Sequence, residues 1–242
     1  TFDLDNNGEK TGNAGDAYGW GMYPGQYGMA LLSRYPIDVA AVRTFQHFLW
    51  RDMPGALQIT KPASGEPWFA PQEWAAVRLS SKSHWDIPVT IGGKKLHILA
   101  MHPTPPTFDG PEDRNGKRNH DEIRLMADYL TPERAEYIYD DNGEKGGFAG
   151  QRFVLVGDFN AADIGDKHRP GVIEQLTEHP LVNSSVIPQS EGGSESAEES
   201  YSSRFTAYWG ARADYVLPSR KGLTVQGGGV FWPVKASPLN RL

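Results

Sequence analysis

The sequence predicts an α/β protein in which several strands and a few helices form one domain. Residues 153–156 are a continuous apolar run, and residues 96–101 are apolar except for His97; each predicts a strand buried on both faces. Apolar residues alternate with other residues from Trp85 to Ile91, which predicts a strand with one buried face. The 27 glycines and 18 prolines indicate many shaped loops between these strands.

The other elements follow from local signals along the chain. Further strands are predicted over residues 29–33, 39–45 and 74–79. The pair Gly92-Gly93 predicts a two-residue hairpin turn. Asn119, with Glu122 three residues later, is a predicted helix N-cap, and helical apolar spacing continues to Leu130. Loops are predicted over residues 103–117, 139–150 and 189–203, the last of them a mobile surface loop.

Composition narrows the class of protein. The chain has 242 residues, 38% of them hydrophobic and 22% charged, which are the values of a globular domain. The sequence contains no apolar run long enough for a membrane span. Its net charge of -6 disfavours a nonspecific binder of duplex DNA, which needs clustered Lys and Arg. The absence of cysteine rules out disulfides and fits a secreted or periplasmic protein.

The most informative motif is Gly157-Asp158-Phe159-Asn160, which ends the apolar run of residues 153–156. In an extended backbone Asp158 and Asn160 share one face, and Phe159 points into the core. A carboxylate beside a carboxamide at a sheet rim suits the orientation and deprotonation of a water near a metal ion and a phosphate. The alternative is a polar turn after a strand.

Two further candidates lie at predicted strand ends. His102 follows the run of residues 96–101, precedes a stiff proline-rich segment, and is suited to hydrogen-bond a phosphoryl oxygen. Its alternative is a histidine that caps the sheet edge. Arg212 and Asp214 share a face at the start of another predicted strand, where a carboxylate can orient an imidazole. Their alternative is a surface pair on an amphipathic strand.

These motifs, in this order, resemble the endonuclease/exonuclease/phosphatase superfamily. The resemblance rests on residues 28–34 (GMALLSR), His102, residues 157–160 (GDFN) and residues 212–215 (RADY), and it covers nearly the whole chain. Residues 24–28 (PGQYG) and 102–106 (HPTPP) are similar to a bacterial, often exported, branch. The resemblance implies a four-layer sandwich of two mixed sheets packed face to face, with helices outside.

The resemblance also implies roles for single residues. Asp158 would activate the attacking water, Asn160 would hold that water and a phosphate oxygen, and His102 would bind the scissile phosphate. Asp214 would orient a second histidine. Arg118, Asn119 and Arg212 are the candidate substrate-binding residues. The cofactor would be Mg²⁺ or Mn²⁺, which prefer oxygen ligands.

Two elements of the family pattern are missing from these 242 residues. The family's metal ligands, an Asn and a Glu, are expected before residue 1, and its Ser-Asp-His triplet after residue 242. The expectation is therefore a single domain over residues 1–242 that lacks its first strands and last strand and is a poor catalyst alone.

A separate motif near the start resembles the first half of a calcium loop, but Ala14 stands where the loop's bidentate Glu is expected, so the two interpretations are a looser calcium site and an acidic turn. Asp3, Asp5 and Asn7 place oxygen ligands at alternate positions, followed by Gly8 for a sharp turn.

Three functions remain open for the chain: a phosphodiesterase or phosphatase, a nuclease acting on nucleic acid, and a noncatalytic calcium-stabilised extracellular module that binds a phosphorylated or glycan ligand.

Overall fold

The computed structural model describes residues 2–165 and 169–240, which form a mixed α/β fold around one sheet. The sheet has five strands in the order β1-β2-β3-β4-β5, so β3 is central. All neighbours are antiparallel except β3 and β4, which are parallel. The strands are β1 (Arg43–Thr44), β2 (His84–Ile91), β3 (Lys94–Met101), β4 (Phe153–Asp158) and β5 (Asp214–Pro218).

In the part of the chain that the structure describes, four helices and five short 3₁₀ turns accompany the sheet. The helices are α1 (Pro71–Trp74), α2 (Arg114–Tyr129), α3 (Glu174–Thr177) and α4 (Glu191–Ser196). The 3₁₀ turns are Ala14–Asp16, Val39–Ala41, Trp50–Asp52, Pro132–Tyr137 and Ser202–Arg204. None of the described helices is both long and apolar enough to cross a membrane.

The predicted α/β class is confirmed, and β2, β3 and β4 form where strands were predicted. The single buried face predicted for β2 is wrong, because Asp86 and Pro88 are buried as well as Ile87 and Val89, and Ile91 is exposed. Gly92 and Gly93 both have positive φ, and they join β2 to β3 with Ile91 paired to Lys94. Phe153 and Leu155 are buried on one face of β4, whereas Val154 and Val156 are only half-buried on the other. Of the two sheets that the resemblance implies, the described residues form this one mixed sheet.

Three predicted strands differ from the structure. Residues 29–33 form no regular secondary structure, and Leu32 is exposed. Residues 39–45 pair with β2 only at Arg43 and Thr44, because the 3₁₀ turn Val39–Ala41 interrupts the ladder. Residues 74–79 do not form a strand.

Helix α1 ends at Trp74, the first residue of that last segment. Pro71 occupies the first helical position of α1, and the Glu73 carboxylate accepts the backbone N–H of Ala70, so the chain turns into a short helix. The loop predicted over residues 189–203 likewise contains α4, whose N-cap Ser190 accepts the backbone N–H of Gly193.

The long helix begins earlier than predicted. α2 starts at Arg114 rather than at Asn119, because the Asp109 carboxylate accepts the backbone N–H of Asn115 and so caps the first turn from outside the helix. The predicted apolar face is present, since Ile123 and Met126 are buried in the same core cluster as the strands. Asn119 and Glu122 therefore lie within the helix, and both are fully buried.

Gly157 lets two strand ends come close together. It has φ 143°, and a Cβ at this position would lie 2.0 Å from the carbonyl oxygen of Met101 at the end of β3. Because Met101 precedes His102 and Gly157 precedes Asp158, this close approach brings the two candidate catalytic residues to the same edge.

Gly157→Ala is expected to destabilise the protein by roughly 2–4 kcal/mol, from backbone strain together with overpacking. Urea unfolding measures the loss. Gly143→Ala is the matched control, because Gly143 also has positive φ but a Cβ there meets nothing within 4 Å. An equal loss for the two variants would show that the contact with Met101 has no energetic effect.

Candidate active site

His102 and Asp158 lie side by side where two strands end. β3 and β4 are parallel and in register through Ala100 and Val156, so both chains leave the sheet at one edge. The His102 Nε2 atom lies 3.7 Å from Asp158 Oδ2. Both side chains remain partly accessible, His102 at 22% and Asp158 at 38%. The edge therefore presents an imidazole and a carboxylate together to solvent.

Asp214 completes this group from the next strand. It is paired directly opposite Asp158 in the antiparallel β4–β5 ladder, and its side chain is exposed. The Thr206 hydroxyl oxygen accepts the backbone N–H groups of Ala213 and Asp214, which fixes the start of β5. Residues from three strand ends thus meet at one rim.

Asn160 is placed differently from its prediction. It has φ 49°, in the left-handed region, so the chain turns and does not continue the strand alternation. Its side-chain amide donates to the Pro103 carbonyl oxygen over 3.1 Å, and its backbone N–H donates to Asp158 Oδ1 over 3.0 Å. Asn160 is 6% exposed. In this arrangement it ties the segment after His102 to Asp158.

Phe159 points into the core, as predicted. It is fully buried, and its ring stacks on the Tyr215 ring with a centroid distance of 5.2 Å. The aromatic pair lies below Asp158 and Asp214 and links β4 to β5, so both carboxylates stand on a rigid base.

The surroundings of His102 favour its neutral form. Burial, and after it the positive charge of Lys82, lower the pKa of His102 to about 4, against opposing effects from Glu122, the Tyr27 backbone and Asp214. The Asp158 carboxylate also lies close to the imidazole, 3.7 Å from Nε2. The imidazole is therefore uncharged at neutral pH, in a form whose single N–H can donate to an oxygen.

Stability should fall on acidification because of this residue. The unfolded chain protonates His102 near its ordinary pKa of 6.5, whereas the folded protein does so only near pH 4, so stability is lost as the pH falls between these values. The expected loss is on the order of 2 kcal/mol, because solvent reaches the imidazole and reduces the effect of the lowered pKa. Urea midpoints from pH 7 to 4 measure it. His102→Asn, which does not titrate, should show a shallower slope, and an identical slope would contradict the assignment.

The carboxylates of Asp158 and Asp214 both have raised pKa values. Burial raises the pKa of Asp158, and the Asn160 backbone N–H and the charge of Lys82 oppose that rise. Loss of solvent also raises the pKa of Asp214, with Thr206 opposing it and the Asp158 charge adding to it. A carboxylate with a raised pKa is a stronger base, which suits proton removal from a water.

The three candidate substrate-binding residues are engaged by the protein itself. The Arg118 guanidinium donates to the carbonyl oxygens of Leu79 and Arg78 at 2.9 and 2.8 Å. Asn119 is fully buried, and its amide donates to the carbonyl oxygens of Thr104 and Phe159. Arg212 is 6% exposed and stacks over the Tyr215 ring. Their contact with substrate stays a prediction.

Glu122, predicted only as part of a helix cap, and Lys82, for which nothing was predicted, both lie beside the site. The fully buried Glu122 carboxylate accepts the backbone N–H groups of Ser81 and Thr104, both at 2.6 Å. Lys82 donates to the Pro103 carbonyl oxygen over 3.3 Å. Glu122 thus ties the segment before β2 to the segment after β3.

The residues predicted to bind calcium form a different set. Asp3 and Asp5 lie with Asp16, and one oxygen from each carboxylate falls within 4.8 Å of the others. Asn7 instead closes a turn, since its backbone N–H donates to Asp3 Oδ1 and its amide to Asp5 Oδ2. The calcium site stays a prediction.

Among the described residues, three acidic side chains lie close enough together to hold a metal ion at Asp3, Asp5 and Asp16, and not at the rim that contains His102. Asp158 and Asp214 supply two carboxylates at the rim. The residues present here are therefore too few to hold a catalytic magnesium by themselves, and we derive no step through one.

Comparison with known proteins gives a family match over nearly the whole chain. The sequence profile of the Endonuclease/Exonuclease/phosphatase family matches residues 2–237. No curated protein matches the chain.

Several solved structures are similar over part of the chain. An endonuclease/exonuclease/phosphatase from Beutenbergia cavernae is 15% identical, with 78% of this chain and 39% of that chain covered and a TM-score of 0.39. Sphingomyelinase C from Streptomyces griseocarneus is 14% identical, with 65% and 47% covered and a TM-score of 0.38. Beta toxin from Staphylococcus aureus, with bound magnesium ions, is 10% identical, with 60% and 44% covered and a TM-score of 0.38. The chain thus spans less than half the length of these structures, and scores this low support no inference about activity.

Proposed function

The chain belongs to the endonuclease/exonuclease/phosphatase family, and on this premise we propose that it is a phosphoester hydrolase that depends on a divalent metal ion. The observation that carries the proposal is the 3.7 Å approach of His102 Nε2 to Asp158 Oδ2 at a solvent-accessible rim. Asp214 lies opposite Asp158 in the next strand. A base, a hydrogen-bond donor and a second carboxylate together suit water attack on phosphorus.

The proposed reaction is a single in-line displacement. Asp158 removes a proton from a water molecule, whose oxygen forms a bond to phosphorus as the bond to the leaving oxygen breaks. The raised pKa of Asp158 favours this proton transfer. The neutral His102 donates its N–H to a nonbridging phosphate oxygen and stabilises the charge that grows in the transition state. No covalent intermediate forms.

Asn160 and Asp214 support the base and the imidazole in this proposal. Asn160 holds the Pro103 carbonyl and the Asp158 carboxylate, and so fixes the spacing between base and imidazole. Its predicted contact with the water and a phosphate oxygen is part of the proposal. Asp214 contributes negative charge beside Asp158 and, by the resemblance, orients a second histidine.

The metal ion of the proposal is Mg²⁺ or Mn²⁺, which would neutralise charge on the phosphoryl group. Support for it comes from the family alone. Chelation followed by readdition of Mg²⁺ or Mn²⁺ tests this part.

The proposed substrate is a small or exposed phosphoester. The net charge of -6 supports this class over duplex DNA, whose phosphates require basic surface. A nuclease acting on nucleic acid is the alternative with the same chemistry.

We also propose that residues 1–242 belong to one domain, and a core cluster that includes residues from Leu4 to Leu217 supports this. We further propose that the protein is secreted or periplasmic, which the absence of cysteine supports.

Hydrolysis assays test the proposal. The protein is incubated with p-nitrophenyl phosphate or with bis-p-nitrophenyl phosphate, each with Mg²⁺ and with EDTA. Slow, metal-dependent release of nitrophenol from at least one ester is expected, because the described rim offers few ligands for a metal ion. Release no faster than the uncatalysed reaction from both esters, by folded protein at millimolar substrate and millimolar Mg²⁺, would overturn the hydrolase and favour the noncatalytic binding module.

A further inference from the structure

Lys82 lies beside the candidate active site because of the hairpin register. The β2–β3 ladder ends at the pair of His84 and Met101, so Lys82 on one side and Pro103 on the other continue just beyond it. The Lys82 Nζ atom donates to the Pro103 carbonyl oxygen over 3.3 Å, and the Asn160 amide donates to the same oxygen over 3.1 Å. A shared acceptor holds the ammonium group close to the motif that contains Asp158.

The buried Glu122 carboxylate fixes the backbone next to Lys82. The neighbouring backbone N–H of Ser81 and the N–H of Thr104 both donate to the buried Glu122 carboxylate. These bonds fix the backbone beside Lys82, while the bond to the Pro103 carbonyl oxygen holds its ammonium group. Glu122 is a positioning residue in this arrangement.

The amino group of Lys82 keeps hydrogen-bonding capacity. In the described part of the chain it donates to Pro103 alone and forms no ion pair with a carboxylate. Arg118 and Arg212 differ, because backbone carbonyls engage the first and Tyr215 covers the second. Of these three cations, Lys82 is the one whose remaining N–H groups can donate to a ligand at the rim.

The charge of Lys82 already acts on the catalytic candidates. It lowers the pKa of His102, second to burial, and it opposes the rise in the pKa of Asp158. Burial lowers the pKa of Lys82 itself, while the Glu122 charge opposes that change. A half-buried charge is screened less by water than an exposed one, so its attraction for an anion is stronger.

We propose that Lys82 binds a nonbridging oxygen of the substrate phosphoryl group and makes the site prefer phosphomonoesters to phosphodiesters. This inference rests on the proposed function. The lysine ammonium group is a common point-charge binder of phosphate. A phosphomonoester carries a charge of about -1.5 to -2 at pH 7, whereas a diester carries a single charge. Attraction scales with the product of the charges, so the dianion gains more from Lys82.

The test compares Lys82→Met with the unaltered protein on both nitrophenyl esters. One charged hydrogen bond corresponds to roughly a 10- to 100-fold change in kcat/KM for p-nitrophenyl phosphate. The loss for bis-p-nitrophenyl phosphate should be smaller, so the ratio of monoester to diester activity falls. Lys94→Met is the matched control, because Lys94 is exposed at the opposite end of the same hairpin and should change neither value.

Binding of inorganic phosphate, measured by calorimetry, gives a second readout that does not need turnover. Lys82→Met should weaken it by a similar factor, while Lys82→Arg keeps most of it. Lys82→Gln, which retains a donor for Pro103, replaces the methionine variant if that variant does not fold. An unchanged ester ratio and unchanged phosphate binding in a folded variant would overturn the role of Lys82.

The two proposals fail separately. If Lys82 has no effect while Asp158→Asn still abolishes hydrolysis, only the role of Lys82 is wrong. If the protein hydrolyses neither ester but its phosphate binding depends on Lys82, the hydrolase is wrong, the anion site stands, and the preference for monoesters falls with the hydrolase.

Discussion

Asp158→Asn is expected to lower the turnover of phosphoesters by about 10²- to 10⁴-fold, because it removes the general base. The substitution keeps the shape of the side chain and its acceptor for the Asn160 backbone N–H. It also removes a desolvated charge, so the free energy of unfolding should be unchanged or slightly higher. Steady-state kinetics at saturating substrate measure the first effect, and urea unfolding measures the second.

Asp38→Asn is the matched control for this change. Asp38 pairs with Lys95 away from the candidate site, and that ion pair is largely exposed. Its loss should leave turnover intact. If Asp158→Asn retained wild-type turnover, Asp158 would not be the base, and the assignment of this rim as the active site would fail.

Glu122→Ala is expected to cost about 3–5 kcal/mol of stability, which is typical when a buried ionic or hydrogen-bonded arrangement loses one partner. The carboxylate is fully buried and accepts two backbone N–H groups at 2.6 Å. Removing it leaves the N–H groups of Ser81 and Thr104 buried without partners, at about 1–3 kcal/mol each. Urea unfolding followed by circular dichroism measures the loss.

Two other variants sharpen this prediction. Glu122→Gln keeps one acceptor oxygen and should lose less stability than the alanine variant. Glu133→Ala, at an exposed position, should change stability by no more than about 0.5 kcal/mol. A cost for Glu122→Ala as small as that for Glu133→Ala would contradict the role of Glu122 in joining the two segments.

The sequence carried enough information to predict the part of the fold that forms the site. The Gly92-Gly93 turn, the alternation of β2 and the apolar runs of β3 and β4 are strong local signals, and each corresponds to an observed strand or turn. Helix α2 was predicted from its apolar spacing, but its start was not, because the cap comes from Asp109, six residues before the residue that it caps.

The weaker predictions fail where tertiary contacts decide the structure. Residues 29–33 have strand-forming composition, but a strand also requires a partner, and in the described residues they have none. The left-handed turn at Asn160 is likewise set by its bonds to Pro103 and Asp158, not by the strand alternation before it.

Lys82 was predictable in principle. With Gly92-Gly93 as the turn, the hairpin register places Lys82 opposite Pro103, next to His102. The buried acceptor role of Glu122 was not predictable in the same way, because the S/T-x-x-E-like spacing from Asn119 indicates a capping box at a helix start. Its true partners are 41 and 18 residues away in the chain.

The measurement that bears most directly on the common site is a crystal structure with orthovanadate, an analogue of the phosphoryl group in transfer. We expect vanadate at the rim, with an oxygen within hydrogen-bonding distance of His102 and of Lys82, and with Asp158 beside the apical oxygen. Vanadate bound at saturating concentration anywhere else, with this rim empty, would contradict the claim that these strand ends build a phosphoryl-transfer site.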